Sequence, residues 1–218
     1  MLVPFAFLLL FAGITKISAL ELFTDFATSI VRLAIAYTIA VSLAWTLALL
    51  FSTGKRASVA LPIFDVMQSF PTFALVPLAV LTFGATSITV IFFLVITVIW
   101  PLLFSIVNAL KLIKTEYWEV ADMYGVHGLN RLRYLLLPAS IPGVVTGSII
   151  GLGEGWEALV ATEIIMKTDI GLGNFFQTNS TDVLITTLGI LLLMIIIFSI
   201  NRLVWTPVLA LVYHRMQE

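Results

Sequence analysis

Glu154, Glu157 and Glu163 are acidic residues in an apolar part of the chain that is long enough to cross a membrane. A carboxylate inside a membrane span costs about 3 kcal/mol unless it faces a cavity or a partner, so such groups commonly bind protons or cations. Glu154 and Glu157 are three residues apart and share one helix face, whereas Glu163 falls roughly opposite Glu154. The three carboxylates therefore cannot all line one narrow surface.

The chain has few other side chains that could catalyse a reaction or bind a metal or cofactor. The chain has no cysteine, which excludes disulfides, zinc-thiolate clusters and thiol catalysis. His127 and His214 both fall in polar segments and would be isolated as ligands, so we interpret them as solvated side chains and expect no metal site. The only Gly-Lys pair, Gly54-Lys55, precedes Arg56 and lacks the upstream glycine of a phosphate loop. We expect no catalytic residue and no bound cofactor.

The composition is that of an integral membrane protein. Hydrophobic residues make up 61% of the 218 residues, charged residues make up 11%, and the mean hydropathy is +1.13. Soluble domains use roughly 45–50% apolar residues. The net charge of -1 and the pI near 6.1 provide no basic surface, so we expect no nucleic-acid partner.

Runs without charged residues predict six membrane-spanning helices in one all-α domain, residues 1–218. A helix needs about 20 apolar residues to cross a bilayer. The longest run holds two spans, with a turn predicted at Gly84. The first run has no Lys or Arg ahead of its apolar part, which argues against a secretion signal. The predicted spans are approximately residues 1–20, 28–52, 58–83, 86–110, 138–164 and 183–205.

Basic residues predict the orientation. Lys55 and Arg56 follow the second span, four more lie in residues 111–133, and Arg215 is near the end of the chain. By the positive-inside rule these regions are cytoplasmic. With six spans, both termini are then expected in the cytoplasm.

The longest polar interruption, residues 111–137, is predicted to form two short helices on the cytoplasmic side. Residues 115–119, Thr-Glu-Tyr-Trp-Glu, suit a helix start, with a polar cap and acids near the positive end of the helix dipole. Gly125 and Gly128 can take positive φ, so the chain can turn sharply between the helices. Pro138 marks the return to the membrane. By itself this pattern also fits an amphipathic connector on the membrane surface.

The same segment resembles the cytoplasmic signature of the permease subunits of ATP-binding-cassette importers. That signature is Glu-Ala-Ala, three residues, Gly, nine residues, then Ile-x-Leu-Pro. Here it reads Glu119-Val120-Ala121, Gly125 and Leu135-Leu136-Leu137-Pro138. Val120 and Leu135 are mild departures, and the spacing is intact.

Other stretches resemble the nitrate, sulfonate and taurine branch of these permeases. The second span, residues 32–37, lacks the glycines expected there. The resembling stretches are residues 70–78 in the third span, 156–163 in the fifth span, 171–173 in the following outer loop, and 201–207 in the last span.

The resemblance implies a fold similar to type I importers, in the plasma (inner) membrane of a prokaryote. Two permease copies or homologues would form the solute pathway in the bilayer. Separate ATP-binding subunits would hold ATP and Mg and receive residues 115–128 as a coupling helix, and an external binding protein would deliver the solute. The residues implied in ATPase coupling are Glu119, Ala121, Asp122, Gly125, Gly128 and Pro138.

Several residues inside the predicted spans are candidates for the solute pathway. For Glu163 the resemblance suggests a site near the substrate, whereas a hydrogen-bonded structural carboxylate is an equal alternative. Packing is the favoured role of Trp156. Arg32 is expected to extend its charge to the membrane boundary rather than attract an anion. The candidates are Glu154, Trp156, Glu157, Glu163, Pro71 and Pro77.

Glycine recurs every four residues in the fifth span, at positions 143, 147, 151 and 155. Such a groove of small residues lets another helix approach closely, so close packing is the first interpretation. A hinge that moves during the functional cycle is the second.

The favoured function is an importer permease for a small anion of the nitrate, sulfonate or taurine type. One alternative is a secondary transporter that uses Glu154, Glu157 and Glu163 as proton or cation sites. Another is a membrane scaffold that recruits a partner but moves no solute. Neither alternative explains why the signature spacing is present.

Overall fold

A computed structural model describes the backbone of residues 2–217 and the side chains of residues 6–212, and it is helical with no strand in that part. The all-α prediction is confirmed. The side chains of His214 and Arg215 lie outside the described residues. The helices are α1 (Leu2–Thr15), α2 (Ala19–Phe51), α3 (Gly54–Gln68), α4 (Val76–Phe83), α5 (Ser87–Lys111), α6 (Thr115–Met123), α7 (Gly128–Arg131), α8 (Leu137–Met166), α9 (Leu172–Thr178), α10 (Val183–Ile200) and α11 (Thr206–Gln217).

The described residues hold four helices that are long and apolar enough to cross a membrane, or five if a bent pair counts as one span. Six were predicted from the charge-free runs. The difference lies at the start of the chain, where α1 has only 14 residues, a length of about 21 Å. The four long spans are Ala19–Phe51, Ser87–Lys111, Gly128–Met166 and Val183–Val212.

Helix α5 packs along both α2 and α8. The face that α2 turns to the core is a stripe of alanines, because Ala36, Ala40, Ala44 and Ala48 are all fully buried. The last three pack in one cluster with apolar residues of α5. Alanine therefore provides in the second span the small surface that the resemblance led us to expect from glycine.

The glycine groove of α8 packs directly against the backbone of α5. A Cβ atom on Gly143 would lie 2.6 Å from the Cα of Ile106, and one on Gly147 would lie 2.7 Å from the Cα of Leu102. Any side chain larger than hydrogen would push the two helices apart. Close helix packing, the first interpretation of the groove, is confirmed and occurs within one subunit.

The third span is broken rather than continuous. Helix α3 ends at Gln68, a 3₁₀ turn covers Thr72–Leu75, and α4 follows, with a bend of 78° between the two parts. Pro71 caps the 3₁₀ turn and has no N–H to continue a helix. The turn predicted at Gly84 is confirmed, since this residue ends α4 with φ of 71°.

Candidate functional sites

The signature segment folds as helix α6, a tight turn and helix α7. Gly125 has φ of +65°, which glycine adopts without strain. The Val126 N–H donates to the Ala121 carbonyl at 2.8 Å and the Gly125 N–H donates to the Asp122 carbonyl at 3.1 Å. This pair of bonds is a Schellman motif with glycine at its left-handed position. The polar cap expected at Thr115 is absent, because Lys114 is the N-cap and makes no side-chain cap bond.

Arg131 braces the turn from α7. Its Nε donates to the Val126 carbonyl at 3.1 Å, and its Nη2 donates to the Asp122 carboxylate. Its guanidinium also lies 5.6 Å from the ring centroid of Trp118, within the range of a cation–π contact. We did not single out Arg131 from the sequence, although its opposite charge to Asp122, nine residues earlier, was a usable signal. The brace makes α6 and α7 one unit.

That unit exposes an apolar surface, which we call the docking face: Tyr117, Val120, Met123, Tyr124 and Leu129. Met123 is 84% exposed and Tyr124 is 81% exposed. Large apolar side chains exposed close together in the chain are typical of protein interaction sites. The predicted coupling residues Glu119, Asp122, Gly125 and Gly128 are exposed on the same unit, Ala121 is buried, and Pro138 lies in the first turn of α8.

At the other end of α8, Glu163 lies in a buried polar cluster. Its carboxylate is fully buried and accepts a hydrogen bond from Arg32 Nη1 at 2.6 Å. The Ser29 hydroxyl donates to it at 2.8 Å, and the Gly173 N–H donates at 2.9 Å. The charge is therefore paired and hydrogen-bonded, as burial of a carboxylate requires.

The cluster joins α2 and α8 to the loop that precedes α9, which the orientation prediction places on the outer side. The Gly171 N–H donates to Asp25 Oδ1 at 2.8 Å, and the Leu172 N–H donates to Ser29 Oγ at 2.9 Å. Arg32 Nη1 also donates to the Ile170 carbonyl at 2.8 Å, and its Nη2 donates to Ser87 Oγ of α5 at 2.9 Å. We call Asp25, Ser29, Arg32 and Glu163 the outer clamp.

Two glycines permit the clamp to close. Gly171 has φ of +140°, and a Cβ there would lie 2.6 Å from Glu163 Oε2. A Cβ on Gly173 would lie 2.6 Å from the backbone nitrogen of Ile164. The loop can approach α8 closely only because both residues lack a side chain.

The outer clamp corrects one expectation. The prediction that Arg32 extends to the membrane boundary is wrong, because Arg32 is only 9% exposed and is bonded to Glu163. Asp25 and Ser29 were missed. A signal existed, since positions 25, 29 and 32 are polar and follow the i, i+4, i+7 spacing of one helix face in an apolar span.

Glu154 lies in a different environment, a polar cavity of about 550 Å³. Serine, threonine and amide side chains line it, together with part of α5, and Glu154 is its one charged group. The Glu154 carboxylate makes no hydrogen bond with any group in the part of the chain that the structure describes. We call this space the polar cavity. It is lined by Gln68, Ser69, Thr72, Thr97, Trp100, Pro101, Phe104, Ser105, Asn108, Ile150 and Glu154.

The break in the third span opens onto the polar cavity. Gln68 and Ser69 end α3 and Thr72 begins the 3₁₀ turn, so all three lie where backbone groups lose their helical partners. Irregular backbone within a membrane is tolerated where it lines a wet cavity or is buried in protein. We did not predict this role for these three residues, since only the tertiary fold brings the break to α5 and α8.

The remaining pathway candidates do not converge on the polar cavity. Glu157 is exposed and outside the lining, and Pro71 and Pro77 are also exposed and outside it. Trp156 is mostly buried in the core and borders an apolar cavity of about 210 Å³ between α2, α8 and the end of α10. Among the described residues, no group of three or more His, Asp or Glu side chains is placed to hold a metal ion.

Comparison with known proteins identifies relatives over most of the chain. The model of a family described as "binding-protein-dependent transport system inner membrane component" matches residues 36–205. A bicarbonate transport system permease of Synechococcus elongatus is 29% identical over 155 residues, which are 71% of this chain and 56% of that protein. A nitrate import permease of Leptolyngbya laminosa is 32% identical over 155 residues, 71% of this chain and 55% of that protein.

A taurine transport system permease of Escherichia coli is 31% identical over 144 residues, 64% of this chain and 51% of that protein. The chain spans about half the length of the curated relatives it matches. The matched region contains the signature segment, α5 and all of α8.

Proposed function

We propose that this chain, which belongs to the family of binding-protein-dependent transport system inner membrane components, conducts solute in an importer driven by separate ATP-hydrolysing subunits. It is a multi-pass membrane protein. The single observation that supports energy coupling best is the docking face. A braced helical unit that exposes Met123 and Tyr124 has the chemistry of a surface for another protein.

A continuous helix connects the docking face to the rest of the proposed machinery. The helical stretch Gly128–Met166 has 39 residues, a length of about 58 Å. Its first turn is α7, which forms with α6 the unit that carries the docking face, here called the docking unit. Further along the same helix, Glu154 faces the polar cavity and Glu163 is part of the outer clamp. A displacement of the docking unit by an ATPase would therefore move the wall of the cavity, as rigid elements transmit motion in packed proteins.

The polar cavity is the proposed solute pathway in this subunit. A second permease copy or homologue would complete the pathway, and an external binding protein would deliver the solute. The three relatives described above are named for bicarbonate, nitrate and taurine, so we propose a small anion as the solute. ATP and Mg would bind to the ATPase subunits, with the docking face and both termini on the cytoplasmic side.

Gly125→Arg tests the docking assignment. Arginine at φ of +65° is strained and would add a charged side chain beside the docking face. We expect the assembled complex to lose solute-stimulated ATP hydrolysis while membrane insertion of the chain is retained. Normal coupling in this variant would overturn the assignment.

A matched pair of unstrained variants separates docking from backbone strain. Tyr124 and Leu112 are both 81% exposed, but only Tyr124 belongs to the docking face. We expect Tyr124→Ala to weaken co-purification with the ATPase and Leu112→Ala to leave it unchanged. An equal loss in both variants would mean that the face has no special role.

A secondary transporter is the second candidate, favoured by the unpaired Glu154 in the polar cavity. Glu163 is engaged by Arg32, which argues against a relay of all three glutamates. Uptake into vesicles distinguishes the two energy sources. Inhibition by vanadate with resistance to an uncoupler supports the ATP-driven importer, and the opposite result supports the secondary transporter.

A further inference from the structure

A second cavity, of about 640 Å³, lies between the end of α2 and the start of α3. Its walls are apolar, from Leu47 and Phe51 of α2 and from Val59 and Ile63 of α3, and Lys55 and Arg56 border it at one end. The volume is within the range of pockets that hold small organic ligands. The cavity thus combines an apolar groove with two adjacent cations.

One side of the groove packs against the helical bundle, and the other side is exposed. The rings of Phe51 and Phe64 meet edge to face at 5.8 Å, and Phe64 lies 6.5 Å from the Trp100 ring of α5. On the open side, Val59 is 65% exposed and Ile63 is 53% exposed. Helix α3 buries none of its residues in the bundle. Its exposed apolar side chains, Val59 and Ile63, therefore remain available to an apolar ligand from the membrane.

The two cations are not neutralised within the chain. Both Lys55 and Arg56 are exposed, and no carboxylate of residues 6–212 lies within 4 Å of either. They occupy the first turn of α3, where the helix dipole adds positive potential. The positive-inside rule places this connection at the cytoplasmic leaflet, whose anionic lipids are attracted to basic residues at span ends.

We propose that this cavity binds one anionic phospholipid of the cytoplasmic leaflet. Its acyl chains lie along Leu47, Val59 and Ile63, and its phosphate lies between Lys55 and Arg56. Charge complementarity decides the class of lipid, because a zwitterionic lipid with the same chains brings no net negative charge to the two cations. The ligand would hold α3 against α2 beside the broken third span. This inference does not depend on the proposed transport function.

Native mass spectrometry of the purified chain, titrated with phosphatidylglycerol or phosphatidylcholine of identical acyl chains, tests the proposal. We expect one phosphatidylglycerol to bind at concentrations where phosphatidylcholine does not. The double variant Lys55→Gln/Arg56→Gln should weaken that binding by about 25-fold, at about 5-fold for each cation near an anionic headgroup. Both side chains are exposed, so the variant should fold normally.

Two further variants make the result specific. Lys111→Gln/Lys114→Gln removes the same charge from the same side of the membrane, outside the cavity, and should leave binding unchanged. Val59→Trp fills the groove and should abolish binding with both cations intact. An equal loss of phosphatidylglycerol binding in the two double variants would overturn the proposal, as would equal binding of the two lipids. The proposal would also be overturned if the chain formed a dimer without bound lipid and Val59→Trp dissociated that dimer. The groove would then be filled by a second copy of the chain.

Discussion

Glu163 and Glu154 lie nine residues apart on α8, and they have opposite environments. Glu163 is fully buried and bonded to Arg32, Ser29 and the Gly173 N–H. Glu154 is exposed to the polar cavity, and its carboxylate has no hydrogen bond to the described part of the chain. The first carboxylate has its charge and lone pairs satisfied by the protein. The second leaves them available to water or solute.

The difference shows that an intramembrane carboxylate can be structural or functional depending on its partners. Burial without a partner costs several kcal/mol, so the environment of Glu163 is stable only while Arg32 stays in place. Glu154 needs no such partner because the cavity around it is polar and open. Substitutions should therefore affect folding at one site and solute movement at the other.

Glu163→Gln should have the largest effect on stability. The amide keeps the shape of the side chain but leaves the buried Arg32 charge uncompensated, which costs about 3–5 kcal/mol. Denaturant unfolding in detergent micelles would measure the loss. The double variant Arg32→Met/Glu163→Leu removes both charges and should be more stable than Glu163→Gln. Equal stability of Glu163→Gln and the native chain would remove the distinction between the two glutamates.

Gly173→Ala should have the next largest effect. The added Cβ would lie 2.6 Å from the backbone nitrogen of Ile164, so the loop must move and weaken the outer clamp. We expect a loss of about 1–3 kcal/mol in the free energy of unfolding. Gly153→Ala is the matched control, because no atom lies within 4 Å of its added Cβ. That control should be neutral or gain up to about 1 kcal/mol from helix propensity.

Breaking the Asp122–Arg131 pair should cost less than breaking the buried pair. Asp122 is 58% exposed, so water and salt screen the interaction. A double-mutant cycle with Asp122→Asn and Arg131→Gln should give a coupling energy of about 0.2–1 kcal/mol in unfolding experiments. A coupling energy as large as that of Arg32 and Glu163 would mean that burial does not separate the two pairs.

Glu154→Gln should have the smallest effect on stability, within about 0.5 kcal/mol, because no partner is left unsatisfied. Its effect should appear in solute uptake by the reconstituted complex, where the polar cavity loses its one charge. Glu157→Gln is the matched control, an exposed position three residues later that lies outside the lining. Identical uptake in the two variants would contradict a pathway role for Glu154.

How much could be predicted depends on the separation of the residues along the chain. Glu119, Ala121 and Gly125 lie within seven positions of one another, and a turn between two short helices requires glycine where φ is positive. The helix–turn–helix form of that segment was predicted from local rules, and its coupling role was implied by the resemblance. Ser29 and Glu163 are 134 residues apart, so no local rule pairs them. Their spans were predicted, but the rotation of one helix against the other was not.

The amino-acid sequence by itself determined the class of protein, the four long helical spans and the form of the signature segment. Hydrophobicity and local backbone preference depend on residues that are close together in the chain, so they can be judged without knowing the tertiary contacts. The tertiary structure decided which glutamate is structural. Only the packing of α2, α5 and α8, through stripes of alanine and glycine, brings Arg32 to Glu163 and leaves Glu154 facing an open cavity.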